Sequence, residues 1–218
     1  SGPLEAWGYS FVSKIGKPDN VILIGPSHSG LGEDVSIFSE GIWKSPLGEV
    51  EVNENLATMI VEKSNGLIKT NYLAHEYEHS LEVQLPFLQY YFGNQFKIVP
   101  IIILNQRKEI IEMVSETLKS VIKNEGYLFV FSSDLNHYDS ISETYRKDNL
   151  YIEELIKNGD TYKICKNEDI SVCGLGPTAI GRSLFRKIEI LKHITSGDII
   201  DYDEKTVGYL SAALTEYK

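Results

Sequence analysis

The side chains that could carry out chemistry in this 218-residue chain are its five histidines and two cysteines. His28 and His137 each follow an apolar run by a few residues, whereas His75 and His79 belong to the pattern H-E-x-x-H. His193 lies in an apolar stretch, and we interpret it as a structural histidine. Because imidazole nitrogens bind transition metals and exchange protons near neutral pH, the other four are candidates for a functional site.

The two cysteines differ in their sequence context. Cys173 lies just before a predicted helix that has Pro177 near its start, and a helix start stabilises a thiolate, which favours metal binding or reactivity. Cys165 has no such context, and we interpret it as a structural residue. Two cysteines are too few for a disulfide framework, so the chain is expected to be cytoplasmic.

The apolar pattern predicts an α/β fold with a mostly parallel central sheet that is flanked by helices on both faces. Strands are expected at Val21–Gly25, Ile98–Leu104, Tyr127–Phe131, Ile188–Ile194 and Val207–Thr215, with a hairpin formed by Ser36–Trp43 and Glu49–Val52. Helices are expected at Leu4–Ser13, Asn53–Lys63, Ser80–Phe92 with a kink at Pro86, Lys108–Lys123, Ser142–Asn158, Thr161–Lys166 and Pro177–Lys187.

In such a sheet, ligands bind beyond the carboxyl ends of the strands. His28 lies three residues past Val21–Gly25, and Asp134 and His137 lie just past Tyr127–Phe131. Two of the strongest strands therefore deliver titratable residues to the same edge of the predicted sheet.

The segment His75–His79 also matches the zinc-peptidase pattern, in which two histidines one helical turn apart bind zinc and the glutamate activates water. However, the motif precedes the best helical pattern, and no third ligand follows closely. A zinc peptidase is therefore a lesser alternative. We predict that His75 is not a ligand and is exposed or hydrogen-bonded locally, whereas His79 points into the pocket.

Composition narrows the classes of partner. The 31 acidic residues outnumber the 21 basic ones, which argues against nucleic acid as a partner. No apolar run approaches the roughly 20 residues that span a bilayer, so no membrane association is expected. A small molecule or a peptide is the expected ligand, and the sequence leaves the oligomeric state open.

Five motifs, in order over nearly the whole chain, resemble the signature motifs of the Memo family. They are Gly25–His28, Glu78–Glu82 with Leu85-Pro86, Ser132–Asp134 with His137, Cys173-Gly174 with Pro177, and Val207–Leu214. The resemblance implies a fold shared with class III extradiol dioxygenases, which hold Fe(II) with two histidines and a carboxylate.

In the Memo family the matching ligands are two histidines and one cysteine. The resemblance implies that His28 and Cys173 are metal ligands, that Fe(II) is the cofactor of the complete protein, and that pocket residues have catalytic roles. These catalytic candidates are His79, Asp134 and His137.

The family's first ligand histidine lies in a Pro-His-Ala-Gly-Tyr motif just upstream of a Ser-Gly pair like Ser1-Gly2. We therefore expect residues 1–218 to form a single Memo-like domain without its N-terminal strand and first ligand motif, and to bind metal weakly. Because a thiolate replaces a carboxylate, ring cleavage does not follow from the resemblance. A non-haem metal oxidoreductase acting on a small molecule and a non-catalytic metal-, ligand- or peptide-binding protein both remain open.

Overall fold

The structure of the chain, a computed structural model, describes residues 1–122 and 126–218. Its elements in chain order are α1 (Gly2–Ser13), β1 (Asn20–Pro26), β2 (Val35–Ile37), β3 (Ile42–Ser45), β4 (Gly48–Glu51), α2 (Glu54–Lys63), β5 (Ile68–Thr70), α3 (Leu73–Glu76), α4 (Gln84–Phe92), β6 (Lys97–Ile103), α5 (Lys108–Val121), β7 (Tyr127–Phe131), β8 (His137–Asp139), α6 (Ile141–Lys157), α7 (Thr161–Glu168), α8 (Leu175–Leu184), β9 (Phe185–Thr195), α9 (Ser196–Ile200) and β10 (Thr206–Tyr217).

A five-stranded sheet in the order β5-β2-β6-β1-β7 forms the centre of the molecule. β1 pairs in parallel with both β6 and β7, and only the pairing of β2 with β6 is antiparallel. On one face Ile22 and Ile24 pack against α2, α5 and α8, and on the other Val21 and Leu23 pack against α1 and α4. The predicted fold class, a mostly parallel sheet flanked by helices on both faces, is therefore confirmed.

β9 and β10 form a long antiparallel pair outside the central sheet, with the short β8 on the other side of β10. Side chains from this second sheet pack with α6 and α7 in a third core cluster. Within the described ranges, no helix combines the length and apolar character needed to cross a bilayer.

Two sequence expectations about the first half of the chain are wrong. Ser36–Trp43 is not one arm of a hairpin, because β2 joins the central sheet and the hairpin is formed by β3 and β4. The helix expected at Ser80–Phe92 begins only at Gln84. Pro86 therefore lies in its first turn rather than at an interior kink, and a missing N–H costs no helical hydrogen bond there.

One other helix end differs from the prediction. The helix expected to end at Lys187 ends at Leu184, and Phe185 begins β9 with its ring against Phe129 and Tyr217. Packing of this aromatic ring overrides the local helical pattern. The predicted helix end at Lys123 lies outside the described residues.

The carboxylate of Asp148, which is fully buried, holds three parts of the second sheet together. It accepts hydrogen bonds from the backbone N–H of Asn136 (2.9 Å) and from Nε2 of His193 (2.9 Å), so His193 is a satisfied structural histidine, as its context indicates. Gly208 of β10 lies against this carboxylate, and a Cβ atom there would stand 1.8 Å from Oδ2 of Asp148.

We expect Gly208→Ala to destabilise the protein by about 1–3 kcal/mol, because the added methyl group overpacks a buried site that cannot yield without breaking hydrogen bonds. Urea unfolding measures the change. Gly2→Ala is the matched control, since a Cβ atom there meets its nearest neighbour, Phe87, at 3.9 Å. Equal unfolding midpoints for the two variants would contradict the argument.

Candidate functional site

The adjacent ends of β1 and β7 create the candidate site. Ile24 stands opposite Phe131 in the parallel pairing, so the loops that carry His28 and Asp134 leave the sheet side by side. The start of α8 brings Cys173 to the same place, where its Sγ accepts a hydrogen bond from the backbone N–H of Asp134 at 3.1 Å. The carboxyl edge of the sheet is thus where these polar groups meet.

A cavity of about 730 Å³ opens at this edge, and His28, His79, Asp134 and Cys173 line it. His137 lies beside it, with Nε2 3.9 Å from Oδ2 of Asp134. The structure therefore brings the five residues singled out from the sequence to one region of the molecule.

Among residues 1–122 and 126–218, the potential metal-binding atoms fall into two groups, and the atoms of each group lie within 4.8 Å of one another. One group is His28, Glu78 and His79, and the other is Asp134, His137 and Cys173. The two expected ligands, His28 and Cys173, are thus in neighbouring groups rather than in the same one.

Glu78 fixes the orientation of the His28 ring and the position of its proton. Its buried carboxylate accepts hydrogen bonds from the backbone N–H of His28, from the ring Nδ1 of His28 at 2.9 Å and from the N–H of Ser80 at 2.9 Å. Burial alone would raise the pKa of Glu78, but the hydrogen bonds from His28 and Ser80 lower this pKa to about 2. An ionised Glu78 keeps the proton on Nδ1, which leaves Nε2 of His28 free to bind a metal.

Sequence reasoning did not identify Glu78 as a functional residue. Nothing in the spacing distinguishes it from Glu76 and Glu82, which are exposed. The feature that could have identified Glu78 is its position directly before His79, within a motif on which the family resemblance rests.

His79 is the most accessible of the candidate groups, with 64% of its side chain exposed. Its ring stacks on the ring of His28, with 4.5 Å between the ring centroids. This placement allows His79 to exchange protons with solvent while remaining next to the ring that could hold a metal.

The second group is more enclosed. Nδ1 of His137 lies 2.7 Å from the carbonyl oxygen of Ser171 and donates a hydrogen bond to it, and Nε2 of the same ring faces Asp134. Burial raises the pKa of Asp134, and the nearby His137 partly offsets this. Burial also raises the pKa of the Cys173 thiol, although the N–H of Asp134 opposes it. The expectation that a helix start lowers this pKa is therefore wrong, because desolvation is the larger effect.

The H-E-x-x-H segment does not form the helix that a zinc peptidase needs. Helix α3 ends at Glu76, and His75 and His79 face different surroundings. His75 packs edge-on against Phe38 and Trp43, with ring centroids 5.5 and 6.0 Å away. It belongs to neither donor group among the described residues, so it shares no metal site with His79.

The expectation that His75 is exposed or hydrogen-bonded is nevertheless wrong. The residue is only 8% exposed, and neither ring nitrogen has a hydrogen-bond partner among the described residues. Burial lowers the pKa of His75 to about 4. The ring therefore stays neutral and acts as part of an aromatic cluster.

This burial predicts a pH dependence of stability. Between pH 6.5 and about 4, His75 is protonated in the unfolded chain but neutral in the folded chain. The free energy of unfolding therefore has its full value above pH 6.5 and decreases as the pH falls below 6.5. The loss amounts to roughly 3 kcal/mol at about 1.4 kcal/mol per pH unit.

We expect His75→Phe, which keeps an aromatic ring in the cluster, to remove this part of the acid sensitivity. Urea unfolding of both proteins at about pH 7 and about pH 4.5 measures the difference. His193→Phe serves as a comparison at a hydrogen-bonded histidine. Parallel stability curves for the wild type and His75→Phe would show that His75 does not titrate in this window.

A second prediction concerns Glu78. Glu78→Gln keeps the size of the side chain but removes the charge that fixes the proton of His28, so we expect metal affinity to fall roughly 10–100-fold. Metal titration by calorimetry measures the change, and Glu76→Gln is the matched control at an exposed position. Equal affinities for the two variants would exclude this role, whereas peptidase activity that is lost in Glu76→Gln would revive the zinc-peptidase alternative.

Comparison with known proteins places these residues in a family. A family model described as Memo-like protein matches residues 1–213. A MEMO1 family protein of Thermotoga neapolitana is 43% identical and aligns with 99% of this chain and 78% of its own length. Another, from Sulfurisphaera tokodaii, is 40% identical over 97% of this chain and 77% of its own length.

The fold is also similar to that of a solved structure. The crystal structure of an uncharacterized protein from Escherichia coli K12 superposes with a TM-score of 0.62 over 93% of this chain and 91% of that chain. At 11% sequence identity, this comparison concerns the fold alone. The family assignment rests instead on the family model and the relatives, which cover nearly the whole chain: the protein belongs to the Memo family.

Proposed function

We propose that this protein binds Fe(II) at the carboxyl edge of its sheet and acts as an oxidoreductase on a small molecule. The observation that carries the proposal is the pair formed by His28 and the buried, ionised Glu78. Metal-binding histidines commonly donate their other ring N–H to a carboxylate in this way. The pair leaves Nε2 of His28 free beside the cavity.

The surrounding donors fit such a metal. Imidazoles and a carboxylate are ligands of non-haem Fe(II), and a thiolate is a softer ligand that also binds iron. His28 and Cys173 would hold the ion, and the backbone N–H of Asp134 donates a hydrogen bond to Sγ of Cys173. Because ligation requires the thiolate, the raised pKa of Cys173 predicts that metal binding releases a proton.

Bound Fe(II) would supply activation of O2 or polarisation of a substrate oxygen. Proton transfer would fall to the histidines beside it. Nε2 of His137 is available to accept a proton from a substrate hydroxyl, since its Nδ1 is engaged with Ser171. Asp134, 3.9 Å away, would stabilise the resulting imidazolium, and the exposed His79 would return protons to solvent.

We expect His28→Ala and Cys173→Ser each to weaken metal binding by more than the roughly 10–100-fold that the loss of an outer hydrogen-bond partner costs. His137→Ala should mainly impair turnover, because it removes a base and not a ligand. Co(II) titration under anaerobic conditions measures binding, and a thiolate-to-metal absorption band should disappear in Cys173→Ser.

Cys165→Ser is the matched control, because Cys165 is buried in the third core cluster with α6 and α7. Equal, tight binding by the wild type and Cys173→Ser would show that any metal sits elsewhere.

Oxygen consumption by the Fe(II)-loaded protein with catechol-type compounds separates the two functional classes. Turnover that depends on His137 would support the oxidoreductase. Tight metal binding without oxygen uptake would instead support a metal- or ligand-binding protein on the same fold.

A further inference from the structure

The side chain of Gln106, in the loop that follows β6, holds the backbone around Cys173. Its Nε2 donates a hydrogen bond to the carbonyl oxygen of Cys173 at 2.8 Å, and its Oε1 accepts one from the backbone N–H of Gly176 at 2.7 Å. The two partners fix the orientation of this amide, because a carbonyl oxygen can only accept and an N–H can only donate. Gln106 therefore spans the turn into α8 and uses both ends of its amide there.

One of these two hydrogen bonds serves the helix. The first N–H groups of a helix have no partner within it, and the N-cap position of α8 is Gly174, which has no side chain that could supply one. The bond from the N–H of Gly176 to Gln106 caps this helix end from outside. The carbonyl oxygen of Cys173 lies before the helix begins at Leu175, so the helix does not require the other bond.

Gln106 is itself anchored by the loop in which it lies. The N–H groups of Leu104 and Asn105 both donate to the carbonyl oxygen of Asp34 at 3.0 Å. On the other side, the hydroxyl of Tyr162 in α7 donates to the carbonyl oxygen of Gln106 at 2.8 Å. The side chain that holds Cys173 therefore projects from a fixed support.

The loop that follows β7 holds the same turn from the other side. Oγ of Ser133 accepts a hydrogen bond from the N–H of Gly174 at 2.9 Å, and the N–H of Asp134 bonds to Sγ of Cys173. A Cβ atom on Gly174 would stand 2.5 Å from Cβ of Ser133, so the turn lies directly against this loop. Cys173 is thus held between the loops that follow two strands of the central sheet.

We infer that Gln106 is a positioning residue for Cys173, and that its hydrogen bond to the Cys173 carbonyl oxygen sets where Sγ lies. Gln106 is not among the described residues that line the cavity, so it acts on the site through Cys173. The consequence for metal binding rests on the proposed function, in which Cys173 is a ligand. The position of the thiol in the metal-free protein does not rest on it.

Gln106→Glu separates the two hydrogen bonds. A carboxylate still accepts from the N–H of Gly176, and its negative charge is favourable at the start of a helix. It cannot donate to the Cys173 carbonyl oxygen, which it repels. Asn105→Asp is the matched control, because it adds the same charge to the same loop while keeping the acceptor for the two bonds from Arg107.

Amide hydrogen exchange of the metal-free proteins, measured by NMR, tests the position of the thiol. We expect exchange at Asp134, whose N–H bonds to Sγ, to be at least about tenfold faster in Gln106→Glu, with exchange at Gly176 within about twofold of wild type. Asn105→Asp should match the wild type at both amides. Unchanged exchange at Asp134 in Gln106→Glu would overturn the inference. Faster exchange at both amides would also overturn it, because the role of Gln106 would then be to cap the helix.

Anaerobic Co(II) titration of the same three proteins measures the consequence for the site. We expect Gln106→Glu to bind roughly 10–100-fold more weakly, as for the loss of an outer hydrogen-bond partner, with a changed thiolate-to-metal absorption band. Equal affinity and an unchanged band in the three proteins would overturn the inference. If the wild type itself shows no thiolate band, the proposed role of Cys173 as a ligand fails, and the exchange at Asp134 alone decides the inference.

Discussion

The parallel pairing of β1 with both of its neighbours is the interaction on which the rest of the structure depends. β1 is apolar and buried on both faces, so its backbone groups can be satisfied only by strands on either side. Pairing with β7 places the loop after β1 beside the loop after β7. A register shift of one residue would exchange the side chains that pack against α1 and α4 with those that pack against α2, α5 and α8, which makes this alignment strongly specified.

This constraint sets the position of the site residues but not their orientation. The sheet fixes where His28 and Asp134 emerge, but it does not fix the orientation of their side chains. That is done by groups from elsewhere in the chain: Glu78 for the ring of His28, and Ser171 for the ring of His137. The sheet therefore sets the position of the site residues. Their side chains are oriented by hydrogen bonds with loops that lie close to them only in the folded chain.

The parts predicted from sequence are those that depend on local apolar pattern. Strand β1 and the sheet edge at which His28 lies follow from an apolar run and the position after it. The hydrogen bonds that Glu78 accepts from His28 could not be predicted, because the sequence does not distinguish a buried glutamate from an exposed one in the same polar motif. The burial of His75 depends on Phe38 and Trp43, which are distant in the sequence. The pairing of β9 with β10 outside the central sheet could not be predicted either, since the apolar pattern of a strand does not specify which strands it pairs with.

The donor atoms of the candidate site come from segments that lie far apart in the sequence, from His28 to Cys173. In the unfolded chain these atoms are separated by long loops, and bringing them together costs conformational entropy. An ion held by both donor groups would bind the native state alone and would shift the folding equilibrium toward it by mass action. Unfolding and release of the ion would then be coupled, so that resistance to heat would increase with the concentration of free metal.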